Sequence, residues 1–265
     1  MDKIIKFSDF LLEHKLWYKT IPQFLNWLEE KSKSKDFVFV DTETTGLGGP
    51  KKVQLTQIAA ISTIYDFHQN DFKEQSSFNQ KIKLTEETLK KKTEKDSKIN
   101  WVLSFNRYGE KGIDYIDEEV VLSNFYNWVE EQKDAMLVIQ NAEFDMNLLN
   151  MRSKNIKFNN EVFDTKQLIQ LYYIPLIQKL SETDDNYKEL INKIGTSTRD
   201  NGLISSSMSK IGPALGLNMS GYHDALSDCR ITTNMVVKII DLLKEHSDVD
   251  IMKYQSERIK MIRNN

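Results

Sequence analysis

The chain has little that would cross-link it, carry it through a membrane or coat a nucleic acid. Its 265 residues include one cysteine, Cys229, so no intramolecular disulfide can form and a thiolate zinc site is not expected. No apolar run approaches the ~18 residues of a membrane span, and Met1 to Phe7 lack the apolar core of a secretory signal peptide. The 36 basic and 39 acidic residues give a net charge of -3, which excludes the strongly basic composition of non-specific duplex-binding proteins. These absences predict a soluble, cytoplasmic or otherwise intracellular protein with no membrane partner.

The hydrophobic pattern predicts an α/β fold. Short apolar runs bounded by turn signals predict strands. The predicted strands are 37–40, 53–61, 78–84, 136–140 and 158–163. The first three have short connections, as in an antiparallel meander, and the later ones alternate with helices that include 144–151, 208–217 and 224–243. This order predicts a mixed central sheet, an antiparallel meander plus parallel strands, flanked by helices.

Three regions are expected along the chain. An N-terminal helical extension includes a capping box formed by Thr20 and Gln23. A main domain follows, with two insertions that its pattern does not explain, and a basic amphipathic tail ends the chain. The expected bounds are 1–35 for the extension, 36–245 for the domain, 93–116 and 181–200 for the insertions, and 246–265 for the tail.

Two acids follow the first predicted strand. Asp41 and Glu43 come directly after Phe37–Val40, and Gly46 then turns the chain. Because side chains alternate along a strand, both carboxylates point to the same side of its end. They repel each other unless a cation lies between them, and Mg²⁺ prefers such oxygen ligands. An isolated Asp-x-Glu is more often a solvated turn, so the interpretation as a metal site depends on other acids of the chain.

Two further acidic motifs stand at the ends of predicted elements. The segment from Asn141 to Asp145 follows the fourth predicted strand, and ligands of open α/β sheets collect beyond strand ends. Asp228 lies one turn after Asp224, the predicted N-cap of a long helix, and His223 stands just outside the helix start. A histidine beside carboxylates can take a proton near neutral pH. Taken alone, Asp145 is also consistent with a first-turn acid that favours the helix dipole, and His223 with a surface residue.

Three motifs in this order resemble those of the DEDDh exonucleases, the DnaQ-like 3′–5′ exonuclease family of the ribonuclease H-like superfamily. The motifs are Asp41-Thr42-Glu43-Thr44, Asn141-Ala142-Glu143-Phe144-Asp145 and His223-Asp224-Ala225-Leu226-Ser227-Asp228. Each motif is weak alone, but three in order with five specified functional residues are specific. The resemblance extends over residues 36–243 and implies a ribonuclease H-like exonuclease fold. It also implies a metal-dependent hydrolase that removes nucleotides from the 3′ end of a nucleic acid.

The resemblance implies a role for each motif residue. Two divalent cations, Mg²⁺ or Mn²⁺, would lie ~3.5–4 Å apart, with Asp41 bridging both. Glu43 and Asp228 would complete the site of the water-activating ion, Asp145 would support the second ion, and His223 would be the general base. The implied substrate-binding residues are Thr42, Thr44, Thr45, Leu47, Asn141 and Phe144.

The sequence leaves the substrate and the biological setting open. The favoured function is removal of nucleotides from single-stranded or frayed DNA ends in repair, replication or proofreading. The same chemistry on RNA is the nearest alternative, because no residue identifies contacts to a 2′-hydroxyl group. A non-catalytic scaffold of this fold is the third, against which the five intact site residues argue. A polymerase or a second copy of the chain is a candidate partner for the N-terminal helices or the C-terminal tail.

Overall fold

The computed structural model describes residues 20–46, 52–93, 103–104, 109, 111–132, 134–153, 157–197 and 203–263. Leu47, residues 1–19 of the predicted extension and much of the predicted insertion near 93–116 lie outside the described residues. Within the described ranges, no helix is both long enough and apolar enough to cross a membrane.

A six-stranded mixed sheet forms the centre of the fold. The strands are β1 (Phe37–Thr44), β2 (Leu55–Asp66), β3 (Asp71–Ile82), β4 (Tyr115–Ile116), β5 (Met136–Ile139) and β6 (Val162–Asp164). Their order in the sheet is β4-β3-β2-β1-β5-β6. The meander β1-β2-β3 is antiparallel, whereas β1 pairs with β5, β5 with β6 and β3 with β4 in parallel. The predicted mixed sheet is therefore confirmed.

Helices flank this sheet. They are α1 (Ile21–Ser32), α2 (Glu86–Thr93), α3 (Glu118–Glu130), α4 (Ala142–Arg152), α5 (Thr165–Leu168), α6 (Ile174–Leu180), α7 (Asp185–Ile194), α8 (Met208–Ala214), α9 (Ala225–Glu245) and α10 (Met252–Arg263). A π-helical turn joins α5 to α6. Helix α1 begins at the predicted capping box, in which Thr20 and Gln23 each accept a hydrogen bond from the other's backbone N–H.

Several predicted strand boundaries are wrong. Strand β1 continues past Val40 to Thr44, so Asp41 and Glu43 lie within the strand instead of after it. Strand β2 continues to Asp66 instead of ending at Ile61, and β3 begins at Asp71 instead of Phe78, because the two strands pair along their whole length. Most side chains of residues 71–77 are exposed, so this half of β3 is polar and lacks the apolar alternation that marks its other half. Strand β6 is shorter than predicted, since Phe158 is buried in the core without joining the sheet.

Two hydrophobic layers cover the two faces of the sheet. Phe37 and Phe39 of β1 belong to a core shared with α1, α6, α9 and α10. Val38 and Val40, which point the other way, belong to a core shared with α3 and α4. The end of β1 therefore lies between the two layers. By the same alternation Asp41 faces the layer of α9 and Thr42 the layer of α4.

Candidate active site

The end of β1 places two acids in a cluster of carboxylates. Burial, followed by the charges of Glu43, Asp145 and Asp228, raises the pKa of Asp41 well above its ordinary value. Burial and the charges of Asp228 and Asp145 raise the pKa of Glu43 to about 9. The charges of Asp145 and Asp228 thus act on both acids of β1, so the four acids singled out from the sequence lie near one another.

Helix α9 brings Asp228 to the cluster and places His223 beside it. The N-cap residue Asp224 accepts a hydrogen bond at Oδ1 from the backbone N–H of Ser227, at 3.3 Å. The backbone N–H of His223 donates to Asp228 Oδ2 at 3.2 Å, and His223 has a left-handed backbone with φ 73°. Non-glycine residues in that region are strained and cluster at functional sites. Glu43, His223 and Asp228 each have a side-chain oxygen or nitrogen of the kind that binds metals. These three atoms lie within 4.8 Å of one another.

Helix α4 brings Asp145 to the same cluster from the opposite layer. Thr42 Oγ1 donates to Asp145 Oδ1 at 2.5 Å, and both side chains are buried. Burial raises the pKa of Asp145 to about 7, an effect that the hydrogen bond from Thr42 opposes. The helix begins at Asn141, whose backbone is left-handed with φ 66°. Thr42 therefore fixes Asp145 to the strand that carries Asp41 and Glu43.

The carboxylate cluster fits a divalent cation. Asp228 Oδ1 is buried and has no hydrogen-bond partner within the described part of the chain. Burial also raises the pKa of Asp228 to about 7. A buried anionic oxygen without a partner is unfavourable, and hard divalent cations bind such oxygens. His223 adds a nitrogen close to Glu43 and Asp228, a position from which it could also bind the ion.

The predicted substrate-binding threonines have side-chain partners inside the protein. Besides the bond from Thr42 to Asp145, Thr44 Oγ1 donates to the backbone oxygen of Gly46 at 2.7 Å. Thr45 Oγ1 accepts a hydrogen bond from the backbone N–H of Gln54 at 3.0 Å. Contact between this turn and a nucleotide stays a prediction. Such contact would involve the backbone of the turn.

Asn141 and Phe144, which are also predicted to bind substrate, lie at the start of α4. Asn141 Oδ1 accepts a hydrogen bond from Lys166 Nζ at 2.9 Å. Phe144 is half-buried and packs on the core beneath α4. These surroundings place both residues beside Asp145, and their contact with substrate stays a prediction.

Two buried polar residues close to the site were missed in the sequence. Gln57 in β2 is fully buried, and Lys81 in β3 is 9% exposed, with its Nζ 3.8 Å from Asp224 Oδ2. A signal for Gln57 was present, because an amide within an apolar strand must find hydrogen-bond partners. Lys81 gave no such signal, since exposed polar residues precede it along β3.

Replacing Thr42 by valine is expected to lower kcat about 10- to 100-fold. The change keeps the shape of the side chain but removes the donor to Asp145, and a hydrogen bond to a charged group contributes about 1.5–3 kcal/mol. Steady-state cleavage of a labelled oligonucleotide measures the effect. Thr42→Ser keeps the hydroxyl and is the matched control. Equal activity of Thr42→Val and wild type would show that Thr42 does not position Asp145.

The metal-free protein is expected to lose stability as the pH rises. The pKa values of Asp145 and Asp228, about 7, and of Glu43, about 9, lie above the ordinary value near 4 of unfolded carboxyl groups. The native state therefore binds more protons than the unfolded state between about pH 4 and pH 9. By linkage, the contribution of these groups to the free energy of unfolding falls across that window and is lowest above it.

Thermal unfolding in chelator measures this dependence, and we expect Tm to fall between about pH 6 and pH 8.5. Mg²⁺ should raise Tm most at the alkaline end, because it binds the ionised native cluster. The control is Asp228→Asn, which should flatten the dependence of Tm on pH. A slope unchanged in that variant would show that Asp228 does not contribute to it.

The fold and the cluster of acids together define a nuclease, a hydrolase that acts on nucleic acids. Residues 38–236 match the exonuclease family RNase_T, and the chain belongs to this family, of the DnaQ-like, ribonuclease H-like type. The family and fold predicted from the three motifs are therefore confirmed.

Solved structures of exonuclease I have the same fold. The zinc-bound form of the E. coli exonuclease I–ssDNA complex superimposes with a TM-score of 0.54 and 16% identity, covering 81% of this chain and 42% of that chain. The E. coli enzyme in complex with a dT13 oligonucleotide gives 0.51 and 17%, covering 77% and 40%. Apo exonuclease I gives 0.53 and 17%, covering 80% and 45%. The chain thus spans less than half the length of exonuclease I, and identity at this level shows the fold alone. No characterised protein sequence matches the chain.

Proposed function

We propose that the protein is a metal-dependent 3′–5′ exonuclease that hydrolyses phosphodiester bonds at the 3′ end of DNA. Its substrates would be single-stranded or frayed ends, and its products nucleoside monophosphates. The observation that carries the proposal is the convergence of Asp41, Glu43, Asp145, Asp228 and His223 from both layers at the end of β1. Membership of the exonuclease family supports removal of nucleotides from an end, the resemblance to the DEDDh motifs supports the 3′ end, and the DNA bound to E. coli exonuclease I supports the substrate. Repair, replication or proofreading is the proposed setting.

The four carboxylates would hold two divalent cations, Mg²⁺ or Mn²⁺. Such ions supply a water of lowered pKa and stabilise the charge of the leaving 3′-oxygen. Asp41 would contact both ions, a role that its burial beside the charges of the other three acids supports. Glu43 and Asp228 face each other on the α9 side, whereas Asp145 approaches from α4 and would support the second ion.

His223 would accept the proton of the attacking water. Burial lowers the pKa of His223 below its ordinary value, so the imidazole is neutral and able to accept a proton near neutral pH. Its orientation is restricted on two sides. The backbone N–H is bound to Asp228, and the ring of Tyr222 contacts the imidazole in a tilted arrangement, with 4.0 Å between ring centroids and 36° between the planes.

Oligonucleotides of one sequence, made as DNA and as RNA and labelled at either end, test the proposal. Each is incubated with Mg²⁺, with Mn²⁺ and with chelator. A 5′-labelled DNA that shortens in single steps, and a 3′-labelled DNA that releases labelled mononucleotide at once, would support 3′–5′ hydrolysis. Shortening of RNA alone would keep the chemistry and change the substrate. No cleavage of either substrate would contradict the proposal and favour a scaffold role.

A further inference from the structure

A row of side chains crosses the sheet beside the carboxylate cluster. Glu43 of β1 lies opposite Gln57 of β2, which lies opposite Lys81 of β3. Residues directly opposite in antiparallel pairs point to the same face, and this row faces α9. Gln57 is fully buried and Lys81 nearly so. A buried amide and a buried ammonium group require polar partners.

The row finds those partners at the beginning of α9. Gln57 Nε2 donates to Asp224 Oδ2 at 3.2 Å, and Gln57 Oε1 accepts from the backbone N–H of Ala225 at 3.4 Å. Lys81 Nζ lies 3.8 Å from the same Asp224 oxygen. Asn79 Oδ1 accepts a second hydrogen bond from Gln57 Nε2, at 2.9 Å, which fixes the orientation of the amide. Three polar contacts therefore connect the sheet to the first turn of the helix.

Asp224 transmits this attachment to the candidate active site. It directly follows His223 in the chain, and its backbone oxygen accepts a hydrogen bond from the N–H of Asp228 at 2.9 Å. The side chain of Asp228 in turn accepts the His223 N–H. A shift of Asp224 would therefore move both His223 and Asp228 relative to Glu43.

We propose that Gln57 and Lys81 are positioning residues, which hold the first turn of α9 against the sheet so that His223 and Asp228 face Glu43. The role rests on the proposed function, because it is defined by the residues of that site. Neither residue is placed to touch substrate, since both side chains are buried beneath the turn. Loss of Lys81 would remove the positive charge beside Asp224 and leave Gln57 as the remaining side-chain contact from this row, so the attachment of Asp224 to the sheet should weaken.

The test compares Lys81→Met with Lys83→Met. Lys83 is an exposed lysine two residues further along the chain, so the control removes the same charge without touching α9. Lys81→Met should lower kcat about 10- to 100-fold with little change in KM, because misplaced catalytic groups lose rate rather than substrate binding. It should also weaken Mn²⁺ binding several-fold in a direct titration. Lys81→Arg should regain part of both, and Lys83→Met should equal wild type.

The Mn²⁺ titration separates failure of this inference from failure of the proposed function. If wild type cleaves no oligonucleotide, weaker Mn²⁺ binding by Lys81→Met alone would still support the positioning role. Equal kcat and equal Mn²⁺ affinity in Lys81→Met and wild type would overturn it. So would a lower Tm with kcat per folded molecule unchanged, because that result describes a residue that only stabilises the fold. Gln57→Glu is the second variant, since it keeps the size of the side chain but turns an oxygen toward Asp224; it should lower kcat as well.

Discussion

Asp41→Asn is expected to abolish metal-dependent cleavage while raising the Tm of the metal-free protein. Asp41 is the acid affected by all three other carboxylates of the cluster, so its loss removes a ligand that both cations would share. A decrease in kcat on the order of 10⁴ is typical when a central catalytic group is removed. Burial and the neighbouring acids disfavour the ionised form of Asp41. The same change removes this ionisable group, so the metal-free fold should gain stability.

Two measurements on the same protein check this expectation. Cleavage of a 5′-labelled oligonucleotide with Mg²⁺ gives kcat, and thermal unfolding in chelator at pH 8 gives Tm. Asp71→Asn is the matched control, because Asp71 is an exposed acid at the start of β3, far from the end of β1. Wild-type cleavage by Asp41→Asn would show that the assignment of the site is wrong. A lower Tm would show that Asp41 stabilises the fold instead of opposing it.

His223→Ala is expected to lower kcat by about 10²–10⁴, the usual contribution of a general base. The remaining activity should increase when imidazole is added, because a soluble base can take the place of the missing side chain. His68→Ala is the control, since His68 is an exposed histidine in the β2–β3 turn.

The affinity for Mn²⁺ distinguishes two roles of His223. Its ring lies close enough to Glu43 and Asp228 for all three to bind one ion. A general base that is not a ligand can be removed with the Mn²⁺ affinity unchanged. Weaker binding by tenfold or more, with no rescue by imidazole, would instead identify His223 as a metal ligand.

The mixed sheet could be predicted because its strands are marked by local apolar runs, whereas the roles of the five site residues stay predictions. Apolar runs mark β1 and β5, and Asp41 and Asp145 follow them within a few residues. The full length of the β2–β3 hairpin could not be predicted in the same way. Its outer half is held by pairing between the strands, whereas most of its β3 side chains are exposed and polar.

The contacts that support the site could not be predicted, because each joins distant parts of the chain. Thr42 and Asp145 are 103 residues apart, and Gln57 and Asp224 are 167 residues apart. The sequence around a threonine or a glutamine in a strand does not show which distant residue its side chain will contact. The hydrogen-bond partner is determined only when the strands and helices pack together. For the same reason Asn141, predicted to contact substrate, is found with its side-chain oxygen bound by Lys166.

The distribution of the acids over two layers has a consequence for the partly folded chain. Asp145 arrives with the core of α3 and α4, Asp228 with the core of α9, and β1 carries the remaining pair between them. A nascent chain, or a fragment left by proteolysis, that has packed only one layer holds at most three of the four acids. Under the proposed mechanism, which uses all four acids, nucleic acid is therefore degraded only after both layers have packed. During refolding, nuclease activity should return no earlier than the slower of the two layers.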